Sequence, residues 1–211
     1  MRKASLIKRV TDQIEVGDLA GAERTLREKC PDTPLRFPKE IARPASSGAG
    51  PKTTDGAPAK RNYSNVESTR LFIRDGFVDR YSGDRLVYPG VLRLISHMFP
   101  AEFPYHPNWK IGVGHSWYWD LFPTVDHVLA VTRGGEDGEA NWVTTSMMRN
   151  LIKSNRTLEE LDWTLHSPGR FDEWDGLLLW YVRFIDEHDD ARRVSFLGKW
   201  YRAARAALRP T

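Results

Sequence analysis

Apolar residues at helical spacing open the chain. Leu6, Ile7, Val10 and Ile14 fall on one face of a segment from Ala4 to about Glu15, the period of an amphipathic helix. After Gly17 a shorter stretch repeats the pattern with Leu19, Ala22 and Leu26. Two short helices across a tight turn predict a helical hairpin over residues 1–30. So small a unit buries too little to fold securely alone. It is expected to pack on the rest of the protein or on a second copy of the chain.

The periodicity then stops. Residues 44–60, PASSGAGPKTTDGAPAK, are rich in Pro, Gly, Ser and Ala, the composition of a flexible linker. With its flanks the linker is assigned to 31–62, and the folded body begins near Tyr63. Asn65 can cap a helix through Val66–Arg74 that Gly76 would end. Phe77–Val78 and Arg85–Tyr88 read as short extended segments around the turn Ser82-Gly83-Asp84. Pro89 can open a helix carrying Val91, Leu92, Leu94, Ile95 and Met98. From Pro100 to Asp120 aromatics, Pro and Gly lack a clean period, which predicts an ordered loop insertion.

Leu121–Val131 is β-rich, Gly134, Gly135 and Gly138 interrupt it, Asn141–Thr144 resumes as a strand, and Ser146–Ser154 reads as a helix. Thr157-Leu-Glu-Glu160 is a capping-box pattern, expected to start a helix running to about Leu165. Phe171 to about Glu187 carries Trp174, Leu177, Leu178, Tyr181, Val182 and Ile185 on one face. Val194, Leu197, Tyr201, Ala204 and Leu208 mark a final helix. Its other side, with Arg192, Lys199, Arg202, Arg205 and Arg209, is either solvated or touches phosphate. The expected fold class is α+β and mostly helical: a 1–30 hairpin, a 31–62 linker, a body over 63–166, and a 167–211 helical extension packed on it.

Composition narrows the setting. Of 211 residues, 40% are hydrophobic and 28% charged, ordinary values for a globular protein. The net charge of +3 is compatible with a polyanionic partner without requiring one. A single cysteine, Cys30, excludes an intramolecular disulfide and any cysteine-rich zinc site. No apolar run reaches membrane-span length and the N-terminus is amphipathic, so a cytoplasmic location without membrane partners is expected. The eight Trp residues include Trp109, Trp117, Trp119 and Trp142. They read as core builders, with base stacking as the other use.

The chemistry concentrates in Thr124–Asn155. Asp126 and His127 are neighbours at the end of an apolar strand, so their side chains point different ways. A hairpin returning onto the next helix can bring Asn150 near Asp126. A carboxylate and an amide oxygen are hard ligands suited to Mg²⁺ or Mn²⁺, with His127 left as a base. An Asp-His pair alone is a weak signal, since a satisfied structural histidine explains it better.

Several features together resemble the HNH endonuclease family. They are Asp126-His127, the Arg133-Gly134-Gly135 loop, Asn141 within Asn141-Trp142-Val143, Asn150 followed by Lys153, and the upstream Arg74-Asp75-Gly76-Phe77. The resemblance spans roughly residues 66–156 and implies a ββα-metal core. It implies that Asp126 and Asn150 bind one divalent cation, Mg²⁺ first with Mn²⁺ or Ni²⁺ as alternatives. His127 then deprotonates the attacking water, and Asn141 ties the hairpin loop to backbone near His127 as part of the catalytic unit. Arg133 and Lys153 are candidates for nucleic-acid phosphate, or else solvated charges. His106 and His115 read as structural, with groove lining or metal ligation as the alternative.

One departure stands out. Many family members hold a structural zinc with two CxxC pairs, where this chain has Asp79, Ser82, Ser146 and Arg149. No structural zinc is expected. An Asp79–Arg149 ion pair, with Ser82 and Ser146 hydrogen-bonding nearby, is the expected substitute.

The reaction implied is phosphodiester hydrolysis in DNA, double-stranded first, leaving 5′-phosphate and 3′-hydroxyl ends. Restriction or defence against foreign DNA is one setting. A homodimer would cut both strands and a monomer would nick, and the sequence leaves both open. The competing readings are an RNA-cleaving or non-specific toxin nuclease, and a nucleic-acid-binding module without catalysis.

Overall fold

The structure is a computed structural model describing residues 3–35, 63–110 and 112–209. The expected linker therefore falls, from residue 36 onward, outside the described residues. The architecture is α+β, with helices surrounding one two-stranded antiparallel sheet.

Helices α1 (Lys3–Glu15) and α2 (Leu19–Lys29) form the hairpin, and Asp18 caps α2 by accepting the Gly21 N–H at 2.9 Å. Ile7, Val10, Ala22 and Leu26 are wholly buried, in the same hydrophobic cluster as the rest of the chain. Of the two packing options open to it, the hairpin takes the body. His115 Nε2 lies 3.0 Å from the Cys30 carbonyl, the Ser116 N–H donates to Asp32, and Lys3 pairs with Asp120. Burial pushes the Cys30 thiol up to about 12 and leaves it unreactive.

Helix α3 (Asn65–Arg74) starts where expected, but its cap is Ser64. Ser64 and Glu67 exchange side chain-to-backbone bonds in a complete capping box. Asn65, inside the first turn, cannot make those bonds. The extended segments at 77–78 and 85–88 meet in a single bridge, Val78 to Arg85. Pro89 opens helix α4 (Pro89–Met98). In the insertion at 100–120 Phe103 is wholly buried, and a short helix, α5 (Trp117–Leu121), follows.

Strand β1 (Pro123–His127) pairs antiparallel with β2 (Trp142–Ser146), setting Asp126 opposite Val143 and His127 opposite Trp142. The β-rich run stops at His127, and Val131–Arg133 is a 3₁₀ turn. Helix α6 (Met147–Lys153) follows β2 without a loop, because Ser146 both ends the strand and caps the helix.

Two expected helices are shorter than their patterns. The capping bonds between Thr157 and Glu160 form, but Asp162 turns left-handed (φ +53°) and only a 3₁₀ turn at Glu159–Leu161 results. The 171–187 helix begins at Leu178 as α7 (Leu178–Glu187). Asp175 accepts the N–H groups of Leu177 and Leu179, and Leu177 adopts φ +64°, so α7 cannot extend back through it. Helices α8 (Asp189–Arg193) and α9 (Ser195–Ala207) close the chain. On the basic face, Arg192 pairs with Asp189 and Arg205 with Asp186.

The core centres on Phe72, Phe77, Tyr88, Leu92, Tyr181 and Leu197, all buried. Trp117 and Trp119 are buried, and Trp109 wedges against Tyr118 and Phe122, so these three serve packing. Among the described residues no helix is long and apolar enough to cross a membrane.

Candidate active site

Strand alternation gives β1 two faces. Thr124 and Asp126 face α6. Asn150 donates its amide N–H to the Thr124 hydroxyl at 3.1 Å and the Val125 carbonyl at 3.2 Å. Asp126 is 9% exposed, and its Oδ2 accepts from the Tyr81 hydroxyl at 2.7 Å. The Lys153 ammonium lies 3.0 Å from the same oxygen and donates to the His127 carbonyl at 2.6 Å. Burial, and then the Asp126 carboxylate, raise the Tyr81 hydroxyl above the ordinary phenol range, so it remains a donor.

Lys153 thus corrects an expectation. It is wholly buried, and a side chain spent on a carboxylate and a carbonyl inside the fold cannot reach substrate phosphate. It braces Asp126 and the backbone of His127. Arg133 is at the surface, where it pairs with Glu160 at 2.9 Å.

The other face of β1 carries His127, 6% exposed. Its Nε2 lies 2.8 Å from Asp137 Oδ1, 3.1 Å from Trp142 Nε1 and 3.2 Å from the Tyr63 hydroxyl. Trp142 Nε1 and the Tyr63 hydroxyl also donate to Asp137 Oδ1, at 3.0 and 3.1 Å. A carboxylate only accepts, so an unprotonated Nε2 at 2.8 Å would set lone pair against lone pair. With Nε2–H donating to Asp137, Nδ1 is left as the basic nitrogen and the Trp142 Nε1–H serves Asp137 Oδ1 rather than the ring. The bond from His127, then those from Trp142 and Tyr63, hold the Asp137 carboxyl below its usual range.

The loop joining the strands is tied by Asn141. Its oxygen accepts the Leu129 N–H at 2.9 Å, and its amide nitrogen donates to the Leu129 and Glu136 carbonyls, each at 2.8 Å. Gly135 lies inside this knot, where a Cβ would sit 1.9 Å from the Leu129 carbonyl oxygen. The Arg74-Asp75-Gly76-Phe77 segment ties α3 to the same unit. Buried Asp75 accepts the Thr144 N–H at 2.7 Å, and Arg74 donates to the Trp142 carbonyl at 2.6 Å. Gly76 (φ +61°) passes so close to Gly169 that any side chain would collide with its backbone.

The expected Asp79–Arg149 ion pair is absent among the described residues. Asp79 is 1% exposed and accepts from the Tyr81 N–H, the Thr145 hydroxyl and the Ser146 N–H, at 2.9, 3.0 and 2.9 Å. The clamp between the 77–88 turn and the β2–α6 junction thus uses two backbone donors and a hydroxyl instead of a guanidinium. Arg149 lies over the Trp163 ring, 4.9 Å from its centroid. Ser146 caps α6 and Ser82 accepts the Asp84 N–H.

His115 and His106 are structural. His115 is buried, stacks on Phe103 at 4.4 Å and is held below its ordinary value by burial. His106 Nδ1 accepts the N–H groups of Asn108 and Lys110. Tyr63, Tyr81 and Asp137 were not legible as site residues in the sequence. Tyr81 and Tyr63 reach the site over 45 and 64 positions. Asp137 sits between glycines, where an exposed carboxylate ordinarily signals only a turn.

Asp126 Oδ1 and the Asn150 amide oxygen accept no hydrogen bond among the described residues. One hard oxygen from each is the donor set a divalent cation that keeps its own waters can use. Among the described residues no three His, Cys, Asp or Glu side chains gather as a metal cluster; a carboxylate–amide pair is a smaller set than that. No protein-family model matches the chain, and no curated protein or solved structure shows significant similarity to it.

Proposed function

We propose that the chain is a metal-dependent endonuclease of the HNH type, hydrolysing phosphodiester bonds in DNA, with a ββα-metal core formed by β1, β2 and α6. The observation that carries this reading is the hairpin closed onto α6, with Asp126 and Asn150 on the helix side. On the opposite side, the Asp137 carboxylate lies 2.8 Å from His127 Nε2.

In this reading Asp126 and Asn150 would hold one divalent cation, Mg²⁺ first. When bound, the cation supplies Lewis-acid stabilisation of the charge developing on phosphate and on the leaving 3′ oxygen. His127 Nδ1 takes a proton from the attacking water, a role worth roughly 10²–10⁴-fold in rate. Asp137 stabilises the imidazolium that forms and keeps the ring from turning. Tyr81 and Lys153 fix the carboxylate, and Asn141 fixes the loop that presents Asp137. Restriction of foreign DNA is a setting this chemistry serves.

One observation favours a second reading. The Lys153 ammonium already supplies a positive charge to Asp126, as a nucleic-acid-binding module without catalysis would allow.

Incubation of purified protein with supercoiled plasmid, with and without Mg²⁺ and beside the His127→Ala variant, separates the two. Mg²⁺-dependent nicking or linearisation that His127→Ala loses supports the nuclease. DNA binding without cleavage in Mg²⁺, Mn²⁺ or Ni²⁺ supports the module. Parallel digests of single-stranded DNA and RNA test the choice of DNA.

A further inference from the structure

Two clefts flank α1 and share Lys3. One, of about 460 Å³, lies on the hairpin and is walled by Lys3, Arg9 and Lys29 over Leu6, Pro31 and Trp117. No carboxylate lines it. Arg9 and Lys29 are exposed and make no ion pair or hydrogen bond among the described residues, while Lys8 and Arg27 on the same hairpin are paired with Asp12 and Glu23. The second, of about 490 Å³, runs from Lys3 to α6 and includes Arg85 and Arg149.

Arg85 and Arg149 lie over Trp174 and Trp163, at 5.1 and 4.9 Å from the ring centroids. A guanidinium stacked on an aromatic face keeps its in-plane N–H donors available. Neither makes a side-chain hydrogen bond or ion pair among the described residues. The carboxylates of this cleft are Asp79, bonded to three neutral donors, Asp120, paired with Lys3, and the exposed Asp84. In the second cleft Arg85 and Arg149 are balanced by Asp79 and Asp84, so the excess positive charge lies at the hairpin end, on Arg9 and Lys29.

The trough is fixed relative to the candidate active site. The hairpin is bonded to the 115–120 segment through His115, Ser116 and Asp120. That segment continues through α5 into β1. At its other end Arg149 is the neighbour of Asn150 in α6.

We infer that this trough is the track on which the phosphodiester backbone of duplex DNA lies, with the N-terminal hairpin as its cationic wall. The choice of DNA as the polyanion rests on the nuclease reading; the cationic wall does not. Backbone phosphates are held by Lys and Arg through charge and without sequence information, with release of counterions.

The test measures binding to a duplex of about 20 base pairs by fluorescence anisotropy, in EDTA and in a His127→Ala background so that nothing is cut, between about 50 and 200 mM salt. Arg9→Ala/Lys29→Ala is expected to weaken Kd roughly tenfold and to lower the salt slope by about 2. The control Lys8→Ala/Arg27→Ala removes equal charge outside the trough and is expected to leave both nearly unchanged. Equal loss in both double variants, or no loss in either, overturns the track. Inorganic phosphate competing as well as duplex reduces it to a small-anion site, and preferential binding of RNA replaces the named partner. Cleavage by the native chain with an unaltered Kd in the trough variant removes the track and leaves the nuclease standing. A trough-dependent Kd with no cleavage in any metal does the reverse.

Discussion

The two faces of β1 are built by different means. On the α6 side Asp126 is enclosed by regular structure, with Lys153 from a helix and Tyr81 from a turn that Asp79 clamps to β2. On the opposite side His127 depends on Asp137, a loop residue whose side chain is 46% exposed. A buried ion pair braced by several elements is costly to break, whereas a loop carboxylate can be replaced with little structural loss. Substitutions on the first face should therefore register mainly in stability, and those on the second mainly in rate.

The sharpest way to break that contrast is at its ends. His127→Ala is expected to lower plasmid cleavage by roughly 10²–10⁴-fold while shifting the urea midpoint only slightly. Lys153→Met leaves Asp126 buried without its cation and should cost about 3–5 kcal/mol in the same denaturation experiment. Comparable stability losses in both variants would erase the distinction between the faces.

Asp137→Asn keeps a hydrogen-bond acceptor for His127 Nε2 but removes the charge. It should lower kcat on the order of 10- to 100-fold, as expected for a base whose orientation is loosened, with KM and stability little changed. The pH dependence follows from the lowered Asp137 carboxyl. Its contact with His127 is fully present above the ordinary carboxylate pKa. It is lost as pH falls through the depressed value, below that range. Amide exchange in the 134–141 loop should thus accelerate only in strong acid, and the acid step should vanish in Asp137→Asn. Asn141→Ala unties Leu129 and Glu136 and should cost about 1–3 kcal/mol. Its cleavage defect should be smaller than that of His127→Ala.

Much of the helical frame was legible because it is periodic: α1 and α4 bury most of the residues that their spacing places on one face, as do Ala22 and Leu26 of α2 and Leu197 and Ala204 of α9, whereas Leu19 is exposed. The misses have local causes. Periodicity reports which residues seek burial and says nothing of a left-handed residue, so the patterns at 157–165 and 171–187 overran Asp162 and Leu177. Ser64 was passed over as a cap because Asn65 is an equally good capping type, and only the partner at Glu67 decides between them. At the candidate site Asn150 bonds to β1 and Asn141 ties the loop, while His127 faces away from Asp126 and Asn150. What surrounds them depended on tertiary neighbours. Lys153 looked like a surface lysine, yet it is inside. Asp79 looked like half of an ion pair, yet backbone donors reached it first.

Mn²⁺ binding followed by electron paramagnetic resonance on three chains tests the division between the faces most directly. The native chain and His127→Ala should bind one ion with the same affinity, while Asn150→Ala should bind it at least about tenfold more weakly, as loss of a ligand demands. Equal binding by all three chains, or no binding by the native chain, would contradict the account.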